Sequence, residues 1–289
     1  MIPEPVYAWV AEHGYGLIQT VQPVGGGCIN NGARLLTTTG VSFFLKTNPS
    51  APGDMFVREA EGLSALRSEN VHERVLRPTI PVPHLVGDSY LLLEDLNPAP
   101  RAANYWTEFG RQLANLHTTT SNQFGFTHDN YIGSTPQVNT WTNDGYQFFV
   151  GHRLLFQAGL AQRSGLLDTY DYRQIEALCQ KINELIPPQP ASLIHGDLWS
   201  GNAISDSRGA PAIIDPAVYF GWAEAELAMT TLFGSFPDEF YQAYEEVFPL
   251  ENGYRQRFPI YNLYHLLNHL NLFGTGYLSQ VRAILHRFA

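Results

Sequence analysis

The pattern of apolar and turn-forming residues changes near residue 95, and this change limits the folds that the chain can adopt. Before it, alternating apolar residues and turn signals predict strands at residues 18–24, 33–38, 41–46 and 90–94. One helix is predicted in this part, at residues 56–68. After it, helical spacing dominates, at residues 106–118, 147–162, 172–185, 224–233, 238–248 and 257–273, with short strands at 192–195 and 212–215. We therefore predict a bilobal α+β fold: a small β-rich N-lobe, residues 1–95, and a larger, mainly helical C-lobe, residues 96–289, with a cleft between them.

Composition excludes several classes of protein. The formal net charge is −10 and no run of Lys or Arg is present, so nucleic acid and anionic membranes are poor partners. No stretch approaches the length of a membrane span, and the N-terminus lacks the basic and apolar regions of a signal peptide. The two cysteines, Cys28 and Cys179, lack metal-binding spacing. We expect a cytoplasmic protein without structural zinc.

The strongest chemical signal is a set of oxygen-bearing side chains in the second half of the chain. Asn202 follows Asp197 by five residues, and Asp215 follows Asp197 by 18 residues, at the end of a predicted strand. Phosphoryl transfer from ATP needs a carboxylate beside the attacking hydroxyl and oxygen ligands for Mg²⁺, and protein kinases supply them in this order. We predict that Asp197 accepts the proton and that Asn202 and Asp215 hold Mg²⁺. The alternative is that these residues only cap turns and end a strand.

Two neighbours of Asp197 refine this interpretation. His195 could act as a base, but its position two residues before Asp197 favours bracing the loop by hydrogen bonds. Gly196 stands where protein kinases carry an arginine, which often receives an activating phosphate. Its absence indicates a metabolic kinase that needs no such phosphorylation.

A lysine and a glutamate in the first third complete the pattern. Lys46 lies near the end of the third predicted strand, where a kinase lysine contacts the α- and β-phosphates and pairs with a helix glutamate. Glu59, thirteen residues later and early in the next helix, is the expected partner, and Glu61 is the alternative.

Two further segments should border the nucleotide. One is a glycine-rich turn whose backbone N–H groups could cover phosphates, made of Gly25, Gly26, Gly27, Cys28 and Ile29. The other is the hinge at the end of the N-lobe, where backbone groups should bind adenine, made of Glu94, Asp95 and Leu96. Within the turn, Cys28 is either a passive small residue or a redox-sensitive thiol that, once oxidised, blocks the loop or links two chains into a dimer.

The segment His195-Gly-Asp-Leu-Trp-Ser-Gly-Asn202, with Gly25-Gly-Gly-Cys-Ile-Asn30, resembles the fructosamine kinase (ketosamine-3-kinase) family. These enzymes share a protein-kinase-like fold with aminoglycoside and choline kinases. Trp199-Ser200 is the narrower signal, because the wider superfamily commonly has other residues there. Further matches at Asp215-Pro216-Ala217 and within residues 266–274 extend the resemblance from about residue 5 to the end of the sequence.

This resemblance implies ATP-dependent phosphorylation of the 3-hydroxyl of a ketosamine, a sugar joined to an amine by glycation, after which the adduct is prone to spontaneous loss. It implies ATP and Mg²⁺ as cofactors and a free or protein-bound ketosamine as the substrate. On this chain it makes Asp197 the proton acceptor and Lys46 with Glu59 the phosphate-binding pair. A sugar platform would come from Trp199, Tyr219, Trp222, Glu224 and His269, for each of which packing is the alternative.

Two other functions stay open on the sequence. The first is a kinase for another small alcohol or an aminoglycoside, because an acidic C-lobe suits a cationic substrate and a fold does not decide function. The second is a non-catalytic nucleotide-binding scaffold. The intact set of Lys46, Asp197, Asn202 and Asp215 argues against the second.

Overall fold

The computed structural model describes residues 2–25, 29–67 and 76–289. Its α-helices are α1 (Glu4–Glu12), α2 (Met55–Arg67), α3 (Tyr105–His117), α4 (Gly145–Phe148), α5 (Phe156–Arg163), α6 (Thr169–Gln180), α7 (Ile182–Leu185), α8 (Ala223–Met229), α9 (Asp238–Glu245), α10 (Tyr254–Phe273) and α11 (Leu278–Phe288). A π-helical segment, Phe149–Leu155, joins α4 to α5, and a 3₁₀ turn, Thr275–Tyr277, precedes α11. Its strands are β1 (Ile18–Val24), β2 (Asn31–Thr37), β3 (Ser42–Thr47), β4 (Pro83–Gly87), β5 (Tyr90–Glu94), β6 (Thr120–Ser121), β7 (Asn130–Ile132), β8 (Thr135–Gln137), β9 (Ala191–Ile194), β10 (Ala203–Ser205), β11 (Pro211–Ile213) and β12 (Tyr219–Gly221).

The N-lobe is an antiparallel sheet in the order β1-β2-β3-β5-β4. Side chains alternate between the two faces of a strand, and β3 shows this clearly. Phe43 and Leu45 are buried with Val6 and Val10 of α1, which covers the outer face of the sheet. The intervening Phe44 and Lys46 line the cleft on the other face. Strand alternation therefore delivers the predicted lysine to the cleft.

The C-lobe is held by helices that pack around α10. Eleven of the twenty residues of α10 are buried, and α8 packs along it. The helices α3 and α9 pack together through aromatic rings, with Phe109 and Phe240 centred 5.4 Å apart. Each fully buried large apolar side chain stabilises the fold by about 1.5–3 kcal/mol, so this core provides a rigid base for the loops above it.

Short strands fix the loops that carry the predicted catalytic residues. The first of these loops runs from the end of β9 to the start of β10, residues 195–202. The second runs from the end of β11 to the start of β12, residues 214–218. Because β9 pairs with β12 and β10 pairs with β11, both loops are tied to the same small framework.

The predicted α+β class is confirmed, with an N-terminal sheet and a helical C-terminal region. Strands β1 and β5 match their predicted bounds. The predicted helix at 224–233 is too long, because α8 ends at Met229, and the helix predicted at 172–185 is two helices separated at Lys181. Sequence analysis missed two helices, α1 and α11, and the strands β4, β6, β7, β8, β10 and β12. The described residues include no helix long and apolar enough to cross a membrane.

Candidate active site

A cleft of about 910 Å³ lies between the N-terminal sheet and the C-lobe. It brings together residues that are far apart in the sequence and come from both halves of the chain. The predicted site residues that line it are Gly25, Ile29, Lys46, Glu59, Glu94, Asp95, Leu96, Asp197, Trp199, Asn202, Asp215 and His269. Gly26, Gly27 and Cys28 lie outside the described residues.

Lys46 stands between two carboxylates at the centre of the cleft. Its Nζ lies 2.6 Å from Glu59 Oε1 and 3.1 Å from Asp215 Oδ1. Although burial opposes the charge of the ammonium, the carboxylates of Asp215 and Glu59 raise the pKa of Lys46 above its usual value. The lysine is therefore a fixed positive charge, and Glu59, rather than Glu61, is its helix partner.

Asp197 lies in the loop after β9, next to Asn202. The Asn202 side-chain amide donates to the Asp197 backbone carbonyl at 2.8 Å and lies 3.3 Å from Asp197 Oδ2. Burial, followed by the nearby carboxylates of Asp215 and Glu226, raises the pKa of Asp197 well above its usual value. A carboxylate with a raised pKa accepts a proton more readily, which suits a general base.

Glu226, a buried residue of α8, binds the backbone of this loop. The carboxylate of Glu226 accepts hydrogen bonds from the backbone N–H groups of His195, at 2.5 Å, and Gly196, at 3.0 Å. On its other side it lies 3.5 Å from His117 Nε2, and His117 Nδ1 lies 2.7 Å from the Tyr244 hydroxyl. Glu226 was not identified from the sequence, because it follows the loop by about thirty residues with no motif around it.

His195 and Gly196 shape the loop without entering the chemistry. His195 Nε2 is 2.8 Å from the carbonyl of Ile214, and its Nδ1 accepts a 3.3 Å hydrogen bond from the Asp197 backbone N–H. This geometry is that of a brace, the role that we favoured for His195. Gly196 has φ of 82°, and a Cβ there would overlap the carbonyl oxygen of Ala217. A kinase-type arginine at this position would therefore separate the two loops.

Asp215 has a left-handed backbone, with φ of 59°, which is costly for a residue other than glycine and typical of functional sites. Its side chain is 41% exposed and faces the cleft, as does Asn202. No cluster of three or more His, Cys, Asp or Glu suited to a metal ion occurs in residues 2–25, 29–67 and 76–289. An Asp and an Asn are nevertheless a donor set that fits Mg²⁺, which takes few protein ligands and completes its shell with phosphate oxygens and water.

The hinge is held by an ion pair that sequence analysis did not predict. Arg34 of β2 reaches across the sheet, with its Nε 2.6 Å from Asp95 Oδ2. Asp95 also accepts from the backbone N–H of Asn97, a residue with φ of 46°. The Asp95 side chain is thus occupied within the protein, and the apolar side chains of Leu96 and Phe44 also line the cleft. Phe44 could have been found from its place two residues before Lys46, on the same strand face.

The C-lobe side of the cleft includes an aromatic wall, which is formed by Trp199, Phe233, His269, Phe273 and Tyr277. Phe233 and His269 have ring centroids 4.4 Å apart, and Tyr277 lies 5.2 Å from His269. Burial lowers the pKa of His269, so its ring is neutral at pH 7. Phe233 has φ of 57°, and no sequence signal marked it.

The predicted sugar platform is wrong in three of its members. Trp222 is 4% exposed and packs in the core against Phe149, with the two ring centroids 5.4 Å apart. Tyr219 is buried beneath the guanidinium of Arg153, 4.0 Å from its ring centroid. Glu224 is buried, 2.6 Å from Arg257. None of the three lines the cleft, because β12 and the start of α8 face the interior of the C-lobe. Trp199 and His269 remain as cleft residues.

Comparison with known proteins identifies the family. A fructosamine kinase family profile matches residues 5–289. A protein from Synechocystis sp. named probable ketoamine kinase is 43% identical over 93% of this chain and 90% of its own length. The chloroplastic protein-ribulosamine 3-kinase of Arabidopsis thaliana is 41% identical over 99% of this chain and 87% of its own length.

Solved structures agree with the sequence relatives. A crystal structure from Thermobifida fusca, provisionally named a fructosamine-3-kinase, superposes with a TM-score of 0.86 at 34% identity, over 97% of this chain and 98% of its own. A choline kinase from Streptococcus pneumoniae shares only the fold, with a TM-score of 0.62 at 13% identity over 99% of each chain. The kinase-like fold predicted from the sequence is therefore confirmed. The chain is a phosphotransferase that belongs to the fructosamine kinase family.

Proposed function

We propose that this protein transfers the γ-phosphoryl group of ATP to the 3-hydroxyl of a ketosamine. The observation that carries the proposal is the meeting of Lys46, Glu59, Asp197 and Asp215 in one cleft of a chain that is 41% identical to a protein-ribulosamine 3-kinase. Phosphorylation at this position makes the sugar adduct prone to spontaneous loss, so the activity would serve to remove glycation.

ATP would lie under the N-terminal sheet. Lys46 would contact its α- and β-phosphates, as kinase lysines do, while Glu59 and Asp215 keep the ammonium in place. The glycine-rich turn would cover the phosphates with backbone N–H groups. Phe44 and Leu96 would enclose the base at the hinge.

Asn202 and Asp215 would hold Mg²⁺. When bound, the metal ion would offset the negative charge of the β- and γ-phosphates. The contribution of the chain itself is the placement of these donors, since Asn202 is anchored to the Asp197 backbone and Asp215 to Lys46.

Asp197 would act on the acceptor hydroxyl. The hydroxyl oxygen forms a bond to the γ-phosphorus as the bond from that phosphorus to the bridging oxygen breaks, and ADP leaves. Asp197 takes the hydroxyl proton, so the products are the phosphate ester, ADP and one proton. The backbone N–H bonds from the loop to Glu226 keep Asp197 in position during this step.

The acceptor end of the cleft suits a sugar that carries an amine. Among the described residues that line the cleft, the Arg and Lys side chains are Arg34, Lys46 and Arg58, and each pairs with a carboxylate. All three come from the N-terminal sheet and α2. On the C-lobe side the cleft offers the aromatic wall and the carboxylates of Asp197 and Asp215, which favour a sugar face and a protonated secondary amine.

A panel of acceptors tests the proposal. We expect ADP release with ribulosamines or fructosamines and none with choline or aminoglycosides, and the Asp197→Asn protein, prepared in parallel, should release no ADP above background. ADP release with choline or an aminoglycoside, and with no ketosamine, would replace this proposal with a kinase for another small alcohol.

A further inference from the structure

A hydrogen bond joins the start of α2 to the C-lobe. The hydroxyl of Tyr131, on β7, donates to Asp54 Oδ1 at 2.6 Å. Asp54 directly precedes α2, and Tyr131 lies in the hairpin that borders the cleft. The Tyr131 hydroxyl lowers the pKa of Asp54, and burial, followed by the same hydrogen bond, raises the pKa of Tyr131 to about 12.

Arg58 extends this contact along α2. Its Nε lies 3.1 Å from Asp54 Oδ2, and its Nη1 lies 2.8 Å from Glu61 Oε2. Glu61 in turn lies 3.1 Å from His128 Nδ1 of the C-lobe. The His128, Glu61 and Asp54 side chains are 49%, 36% and 49% exposed, so water weakens both of these polar contacts with the C-lobe. The bond from Tyr131 to Asp54 is the shorter of the two and is the one made by β7.

Further along α2, the helix backbone packs against the second catalytic loop at Gly62, which has no side chain of its own. A Cβ on Gly62 would lie 3.0 Å from Val218 Cγ2, so the helix backbone approaches Val218 closely. The hairpin is fixed to the same residue, because the Asn130 amide donates to the Val218 carbonyl at 2.8 Å. Residue 218, β7 and α2 therefore form one packed unit, and Glu59 projects from it to Lys46.

We propose that Tyr131 is a positioning residue that holds α2 where Glu59 can pair with Lys46. It acts on the reaction through Asp54, α2 and Glu59, and touches neither phosphate nor the reacting hydroxyl. The C-lobe thus holds α2 by a side-chain contact that needs no phosphorylation. This fits a kinase with Gly196 in place of a phosphate-receiving arginine. The effect on activity rests on the proposed role of Lys46 at the phosphates; the effect on α2 does not.

Steady-state kinetics in two backgrounds test this role. In the wild-type background, Tyr131→Phe should lower kcat/KM for ATP about three- to fivefold, because a hydrogen bond to a half-exposed carboxylate biases an equilibrium by roughly that factor. In a Glu59→Gln background it should cause no further loss. The control Tyr170→Phe removes a hydroxyl from a 69% exposed tyrosine of α6. It should leave kcat/KM for ATP unchanged in both backgrounds. Unchanged kcat/KM, or equal losses in both backgrounds, would contradict the proposal.

Hydrogen–deuterium exchange of residues 55–67 separates this proposal from the choice of substrate. The amides of α2 should exchange about three- to fivefold faster in Tyr131→Phe than in Tyr170→Phe, while those of α10 stay unchanged. Equal exchange of α2 in the two variants would overturn the positioning role. If wild-type protein phosphorylates no ketosamine but α2 exchanges faster in Tyr131→Phe, only the proposed function has failed.

Discussion

The side-chain amide of Asn202 donates a hydrogen bond to the backbone carbonyl of Asp197 at 2.8 Å. The five-residue spacing recognised in the sequence is thus the length of a closed loop, whose two ends are joined by this bond. The arrangement keeps the Asp197 carboxylate and the Asn202 amide in one orientation towards the cleft, which is the preorganisation that phosphoryl transfer requires.

Replacing Asp197 tests the catalytic base. Asp197→Asn keeps the size of the side chain but cannot accept the proton, so kcat should fall by about 10²–10⁴-fold. Affinity for ATP, measured by calorimetry, should be largely retained, because the proposed contact with the phosphates is Lys46 and not Asp197. A variant with wild-type kcat would show that Asp197 is not the proton acceptor.

Replacing Asp215 tests the magnesium ligand. Asp215→Asn should raise the Mg²⁺ concentration for half-maximal activity about tenfold or more, because a neutral amide is a weaker ligand for a hard cation. Asp238→Asn removes a carboxylate that is 73% exposed and should leave the magnesium dependence unchanged. Identical magnesium titrations for the Asp215 variant and wild type would argue against this assignment.

Substitutions of two tryptophans distinguish a residue of the aromatic wall from a residue of the core. Trp199→Ala should raise the KM for the acceptor about five- to tenfold, since aromatic contacts contribute on the order of 1 kcal/mol. Trp222→Ala should instead lower the free energy of unfolding by about 3–5 kcal/mol, because it empties a packed site. Urea unfolding and acceptor kinetics on both variants make the comparison, and the reverse pattern would restore Trp222 to the substrate site.

Buried His265 predicts a dependence of stability on pH. Burial lowers its pKa to about 3, whereas an unfolded histidine titrates near 6.5. Between these values the unfolded chain binds more protons, so stability falls as the pH falls, by up to about 1.4 kcal/mol per pH unit from this group. His265→Gln should flatten the wild-type slope by that amount between pH 6.5 and 5. Parallel slopes for the two proteins would mean that His265 titrates alike in the folded and unfolded chains, so that burial does not lower its pKa.

Local patterns in the sequence were enough to predict four residues that the fold brings together in one cleft. Lys46 and Glu59 lie thirteen residues apart, on a strand and the next helix, and Asp197 and Asn202 belong to a single loop. Glu226 and Tyr131 could not be found in this way, because each acts on a partner thirty or more residues away, and neither contact follows a repeating pattern. Nor can a sequence say which side of β12 faces the core.

Trp222 and Trp199 show why the substrate end was the harder part. Both are aromatic residues near a catalytic motif, and either could pack or bind. Trp222 directly precedes α8, which is buried along its whole length, whereas Trp199 lies in the loop between β9 and β10 and lines the cleft. Only the packing of α8 against α10 decides between the two roles.

The position of the phosphate on the product tests the central proposal most directly. The product of a reaction with ATP and a ribulosamine should be isolated and examined by correlating ³¹P and ¹H resonances. We predict a phosphorus coupled to the proton on C3 of the sugar. A phosphate on another hydroxyl, or a ketosamine left unmodified while choline or an aminoglycoside is phosphorylated, would contradict the proposed function.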